Sequence, residues 1–264
     1  MVILVTNDDG IHAAGIKALG AALASIAKVV VVAPEKERSA IGHGITMHKP
    51  LRATEMPMDG PIARCLAING TPADCVKLAL DALLDEPAAV VVSGINRGEN
   101  LGTDVLYSGT VSGAIEGCIN GLPSLAVSLA GDDEQDFDFA FAADFTVKIV
   151  REILKRGLPK GTLLNINVPS LPQEEIKGVA VTRLGQRRYI NTVSSRKDPR
   201  GRAYYWLAGE KEELDAGPDT DIGAIRRGYI SITPLQLDLT NHAFREGLQD
   251  YFPALWPIQG KKQK

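Results

Sequence analysis

The chain has 264 residues, 45% of them hydrophobic, and a formal net charge of -3. That apolar share supports a folded core and excludes a disordered chain, and the slight negative charge excludes a broad nucleic-acid-binding surface. Cys65, Cys75 and Cys118 are an odd number without metal-ligand spacing, which argues against a disulfide framework or structural zinc.

In chain order, Val2 to Val5 is a short apolar run rich in β-branched residues, read as a strand buried on both faces. It stops at Asn7, Asp8, Asp9 and Gly10, before a helical pattern at Ile16, Leu19, Leu23 and Ile26. Asp8 and Asp9 therefore sit where strand hands over to helix, at the edge where open α/β sheets bind ligands. Asp-Gly is also ordinary turn chemistry, but two adjacent carboxylates repel and want a cation or a proton. The first apolar stretch is too short for a secretory signal and no run reaches the about 20 residues of a membrane span, so a soluble, cytoplasmic protein without a membrane partner is expected. Lys28 to Ala33 predicts a second buried strand, followed by the polar loop from Pro34 through Ser39 to Ala40. Gly42 to Glu55 reads as mixed and extended, and Ala63 to Ile68 as a strand. Thr71 then caps a helix with Pro72 at its first position and Val76, Leu80 and Leu83 on its buried face.

Ala89 to Val92 predicts a further buried strand, running into a glycine-rich polar loop from Ser93 to Gly102 that carries Asn96 and Asn100. A helix should begin at Ser108-Gly109-Thr110, where free amides and the positive dipole end suit an anion. Ordinary capping would equally explain Ser108 or Thr110. Neither G-x-x-x-x-G-K-[ST] nor a G-x-G-x-x-G after the first strand is present. Leu125 to Leu129 is a strand, Phe141, Phe145, Ile149 and Ile153 mark the core face of a long helix, and Leu163 to Val168 is another strand. This alternation predicts an α/β fold, a Rossmann-like three-layer core with a mostly parallel sheet.

Beyond it the character changes. Val179 to Arg183 and Ala203 to Leu207 read as strands flanking a basic insert, with seven Lys/Arg from Arg183 to Arg202 and Asp198 as the lone acid. The insert is a solvated hairpin or an arm toward a partner subunit. Glu210 to Asp215 reads as an acidic loop, Asp219 to Arg227 as a short helix and Tyr229 to Thr233 as a strand. Asn241 to Gln249 is a helix with Phe244 and Leu248 available for docking. The whole chain, 1–264, is expected to be one domain, with a C-terminal extension over roughly 179–235.

Asp8, Asp9, Ser39 and Asn96 each follow a buried strand and offer hard oxygen donors, which suit Mg²⁺ or Mn²⁺. The four histidines are scattered. His43 is a candidate acid-base group near Ser39, although a lone loop histidine is more often merely exposed.

Four separated blocks, Val2-Ile3-Leu4-Val5-Thr6-Asn7-Asp8-Asp9-Gly10, Asn69-Gly70-Thr71-Pro72-Ala73-Asp74-Cys75-Val76, Ser93-Gly94-Ile95-Asn96-Arg97-Gly98-Glu99-Asn100 and Tyr107-Ser108-Gly109-Thr110, resemble the signatures of the SurE family of metal-dependent nucleotidases. Gly228-Tyr229-Ile230-Ser231-Ile232-Thr233-Pro234-Leu235 resembles it too. The resemblance implies a Rossmann-like core with a C-terminal β-hairpin extension. It implies hydrolysis of nucleoside 5′- and 3′-monophosphates, and in some members of polyphosphate ends. It places one divalent cation, Mg²⁺, Mn²⁺ or another, on Asp8, Asp9, Ser39 and Asn96. It places phosphate on Ser108, Gly109 and Thr110 with Asn100 close by, and it implies a homodimer or homotetramer with exchanged C-terminal parts. Ala40 departs from the glycine of many members. A phosphoacceptor receiver domain would need an Asp where Asn69 follows Ile68, and a His-Pro-Asp-Asp deacetylase would need ligands where Thr6 and Asn7 stand. A nucleotide binder without catalysis would share the same residues. For an enzyme, Asp8 and Asp9 as catalytic acids and direct attack by a metal-activated water are expected, because adjacent acids committed to a cation are poor nucleophiles.

Overall fold

Strand β1, Val2–Thr6, is buried along its whole length, and the sheet is built outward from it. The computed structural model describes residues 1–57, 60–131, 137–207 and 209–252. After β1 come α1 (Ala14–Leu23), β2 (Lys28–Pro34), β3 (Ala53–Glu55), β4 (Arg64–Ile68), α2 (Pro72–Leu78) and β5 (Ala88–Arg97). Then follow α3 (Gly109–Ile119), β6 (Ser124–Ala130), α4 (Ala140–Arg156), β7 (Thr162–Pro169) and β8 (Val179–Val181). The C-terminal part holds β9 (Gln186–Ile190), β10 (Val193–Lys197), β11 (Ala203–Leu207), β12 (Glu210–Asp215), α5 (Asp221–Arg226), β13 (Ile230–Gln236) and α6 (His242–Tyr251).

Among the described residues the main sheet has nine strands in the order β3-β4-β2-β1-β5-β6-β7-β13-β8. The pairings from β4 through β7 are parallel, whereas β3 and β13 run antiparallel to their neighbours β4 and β7. Alternate residues of β1 feed two cores. Ile3 and Val5 join a cluster with Ile16, Leu19 and Leu23 of α1 and with Ala142 and Val150 of α4. Val2 and Leu4 join the opposite cluster with Cys75, Val76 and Ala79. Helices thus cover both faces, and each wholly buried Leu or Ile contributes on the order of 1.5–3 kcal/mol. The mostly parallel α/β architecture with C-terminal hairpins agrees with the sequence reading.

Several details differ from expectation. The stretch predicted to be loop from Ser93 is strand as far as Arg97, because Ser93, Gly94 and Ile95 are buried and small side chains let the layers close on them. A Cβ on Gly15 would lie 2.0 Å from the Ile95 carbonyl oxygen, so α1 rests directly on this part of β5. On α4 the fully buried positions are Ala142, Ala143, Thr146, Val147, Val150 and Ile153. Phe141, Phe145 and Ile149 flank that stripe, since alanines rather than phenylalanines allow a helix to approach a sheet closely. Val76 of α2 is buried, whereas Leu80 and Leu83, expected on the same helix, lie in the π-helical turn Ala79–Leu83 that follows it and at the margin of the cluster. Thr71 closes a capping box with Asp74, as Pro72 at the first turn foretells.

Glu210–Asp215, predicted as loop, is strand β12, paired antiparallel with β9. Register places Glu212 opposite Arg188 and Glu213 opposite Arg187, so cross-strand charge pairs replace the apolar alternation that usually marks a strand. β10 and β11 form a second two-stranded ladder beyond it. In α6, Phe244 packs edge-on against Tyr251 at 5.0 Å between ring centroids. No helix among the described residues is long and apolar enough to cross a membrane.

Candidate active site

The loops at the carboxyl ends of β1, β2 and β5 meet the start of α3. Asn7 donates its amide to the Gly10 carbonyl at 3.0 Å, and Gly10 adopts φ +96°, so the chain turns sharply just after the acids. A Cβ on Gly10 would lie 3.2 Å from the Lys36 backbone, so the loop after β2 is pressed against this turn. That loop is also tied to it by a 2.7 Å bond from the Arg38 amide to the Asp8 carbonyl.

Asp8 is only 5% exposed. Its Oδ1 accepts a short hydrogen bond from the Thr110 hydroxyl, and the Thr110 amide also favours its charged form. The anion at this helix start is thus a carboxylate of the protein itself. Burial nevertheless dominates and pushes the Asp8 carboxyl above its ordinary value. Asp9 accepts the Arg97 amide at 3.1 Å. Burial first and the Asp8 charge second push Asp9 up to about 6. The Glu37 charge raises both acids further, and the Arg97 charge draws Asp9 down without offsetting its burial.

Gly109 explains how helix and acids come so close. A Cβ there would sit 2.7 Å from the Asp8 Cβ and 2.8 Å from its Oδ2. A side chain at 109 would strike Asp8.

The remaining candidates are held by bonds of their own. Ser39 is exposed, and its hydroxyl donates to Glu37 Oε1 at 2.6 Å. Asn96 donates its amide to the Gly98 carbonyl at 2.8 Å and the Arg97 carbonyl at 3.3 Å, which leaves its oxygen as the end suited to a cation. Asn100 is buried: its amide donates to Ser128 Oγ at 2.8 Å, and its carbonyl accepts from Asn165 and Asn167. Ser108 is the N-cap of α3, accepting the Val111 amide at 3.0 Å and keeping its own hydroxyl proton. His43 bonds Glu116 Oε2 on α3 at 3.1 Å. The Gly42 amide reaches the Tyr107 carbonyl at 2.9 Å. Among the described residues no group of three or more His, Cys, Asp and Glu could hold a metal. Glu37, whose charge bears on both acids, was not foreseen; its only sequence signal is its place in a polar loop after a buried strand.

The family model described as survival protein SurE matches residues 3–191. A protein of Moorella thermoacetica named 5′-nucleotidase SurE is 70% identical over 262 residues, covering 99% of this chain and 100% of that one. One of Heliobacterium modesticaldum with the same name is 54% identical, over 95% of this chain and 92% of its own. The crystal structure of SurE protein from Aquifex aeolicus superposes with a TM-score of 0.81 at 43% identity, covering 95% of this chain and 99% of that one.

Proposed function

The chain belongs to the survival protein SurE family, and from that premise we propose that it is a phosphoric monoester hydrolase acting on nucleoside 5′-monophosphates with a divalent cation. Nucleoside 3′-monophosphates and polyphosphate ends are further substrates in this reading. The observation that carries it is the Asp8–Asp9 pair, two adjacent carboxylates both raised by burial, the first of them packed directly on the start of α3 through Thr110 and Gly109.

The donor chemistry suits Mg²⁺ or Mn²⁺. Asp8, Asp9, Asn96 through its oxygen, and Ser39, on release from Glu37, would hold it. A bound cation would neutralise charge on the phosphoryl group and make water more acidic. The chain's own residues supply the rest. Thr110 fixes the Asp8 carboxylate, and Asp9, with one oxygen on the Arg97 amide, keeps the other to orient a water and take its proton. The Gly109 amide, the Ser108 hydroxyl and the second amide hydrogen of Asn100 bind the phosphoryl oxygens, the helix start being suited to developing negative charge. Water attacks in line in a single displacement: its oxygen bonds to phosphorus as the bond to the nucleoside oxygen breaks, its proton passes to Asp9, and the departing nucleoside oxygen takes a proton from solvent.

Release of phosphate from nucleoside monophosphates in Mn²⁺ or Mg²⁺, and its loss in chelator, is the expected result. Turnover indifferent to chelator would overturn the cation, and no release from any nucleotide would overturn the enzyme. A chiral thiophosphate ester should react with inversion at phosphorus; retention would point to an aspartyl intermediate instead.

A further inference from the structure

Arg187 lies at the root of the C-terminal hairpins, and its side chain is 4% exposed. Its guanidinium meets three carboxylates: Asp104 at 2.9 Å, Glu99 at 3.3 Å and Glu213 at 3.3 Å. Glu213 belongs to β12, whereas Glu99 and Asp104 belong to the segment joining Asn96 to Ser108. The backbone joins in, since Thr103 Oγ1 donates to the Arg187 carbonyl and accepts the Arg187 amide. Lys211 adds a 2.8 Å pair to Glu99, and the Tyr189 hydroxyl bonds Asp104 at 3.0 Å. One residue is thus the common partner of the hairpin base and of the loop between two groups of candidate site residues.

The path into the site is short. The Asp104 carbonyl accepts the amides of Tyr107 at 3.0 Å and Ser108 at 3.1 Å. Ser108 caps α3, and Tyr107 carries the carbonyl that anchors Gly42 of the opposite loop. Asp104 is therefore one hydrogen bond from the helix start, and Arg187 is one ion pair from Asp104. Without the guanidinium, Lys211 would still pair with Glu99 and Arg226 with Glu213, but the three carboxylates, each largely shielded from water, would lose the one cation they share, and Asp104 would be left against their charge, which would loosen the segment.

We infer that Arg187 is a positioning residue for the candidate phosphate site, holding the Glu99–Ser108 segment against the hairpin base so that the start of α3 is fixed. The inference rests on the function proposed above for the kinetic part of its test only. Arg188 is the control, because its exposed pair with Glu212 joins the same two hairpin strands without touching the segment.

The experiment compares Arg187→Met, Arg187→Lys, Asp104→Asn and Arg188→Met in the full chain. Amide hydrogen exchange at positions 101–108 should quicken in Arg187→Met and Asp104→Asn and stay at the wild-type rate in Arg188→Met. KM and the inhibition constant of inorganic phosphate should rise together by roughly tenfold in the first two, short of the ~100-fold that a 1 Å misplacement can bring. kcat should move far less, and Arg187→Lys should recover part of the loss by restoring the charge. Unchanged exchange in Arg187→Met, or an equal change in Arg188→Met, overturns the inference. If the wild type releases no phosphate, the proposed function fails, and the exchange measurement still decides the role of Arg187.

Discussion

Asp8 and Asp9 ionise less readily in the folded chain than in the unfolded one. Unfolding lets Asp9 lose its proton near the ordinary 3.8, whereas the fold holds it up to about 6. Between those values the folded state binds more protons, so the stability of chelated protein falls as pH rises through the window and stays low above it. Asp8→Asn removes one of the two charges and keeps an oxygen to accept the Thr110 hydroxyl. In chelator at pH 8 the variant should gain on the order of 1 kcal/mol, a Tm rise of about 2–4 °C for a chain of this size, while losing turnover. Mn²⁺ should raise the wild-type Tm and leave the variant nearly unmoved, since a cation that binds only the native state stabilises by mass action. Calorimetry showing a lower Tm for chelated Asp8→Asn would contradict the repulsion argument. The two acids were legible in the sequence because they interrupt a buried strand. Arg187 was not, because its partners Glu99 and Asp104 are remote in sequence and nothing local distinguishes it from the other cations of the insert.

The meeting of β1 with α3 depends on Gly109, and there the demand is for space, since a Cβ would lie 2.7 Å from Asp8. Gly109→Ala must push either the helix start or the acid aside, an overpacking that typically costs about 1–3 kcal/mol. Because one displacement disturbs both partners, the metal concentration for half-activation and the phosphate inhibition constant should rise together. Wild-type values of both in a purified, folded Gly109→Ala protein would show that the contact has no part in binding. Elements with an apolar rhythm were readable in this chain, as with β1, β2 and the Thr71–Pro72 start of α2. Those held by pairing partners were not. β12 has the sequence Glu-Lys-Glu-Glu-Leu-Asp and becomes a strand through Arg187 and Arg188 across from it. The Ser93–Arg97 part of β5 resembles a loop by composition and becomes a strand through close packing against Gly15 of α1.

At the scale of the molecule, the hairpins divide into an inner ladder tied through Arg187 to the Glu99–Ser108 segment and an outer one beyond it. The inner ladder, β9 with β12, carries Arg187 and Glu213. The outer ladder, β10 with β11, exposes Val193, Tyr205, Trp206 at 60% and Leu207 at 85%. Aromatic and aliphatic side chains left in water on a short two-stranded ribbon are costly unless another surface covers them. A second copy of the chain is the partner that the symmetric homo-oligomer of the sequence reading supplies. Register makes the two ladders separable. Ile190 is opposite Glu210, with Asn191 following the first and Gly209 preceding the second. Excising residues 192–208 joins Asn191 to Gly209 and leaves an Asn-Gly loop between paired strands, the sequence favoured by a two-residue type I′ hairpin. Asn191 already has φ +53°, as that turn requires. The shortened chain should fold with wild-type exchange at 101–108 and retain turnover, because every contact of Arg187 remains. By light scattering it should be a smaller species than the full chain, which itself should exceed its 28.2 kDa monomer mass. A full-length protein that stays at the monomer mass at micromolar concentration would remove the arm from assembly. A shortened protein that assembles as before would place the interface on another surface.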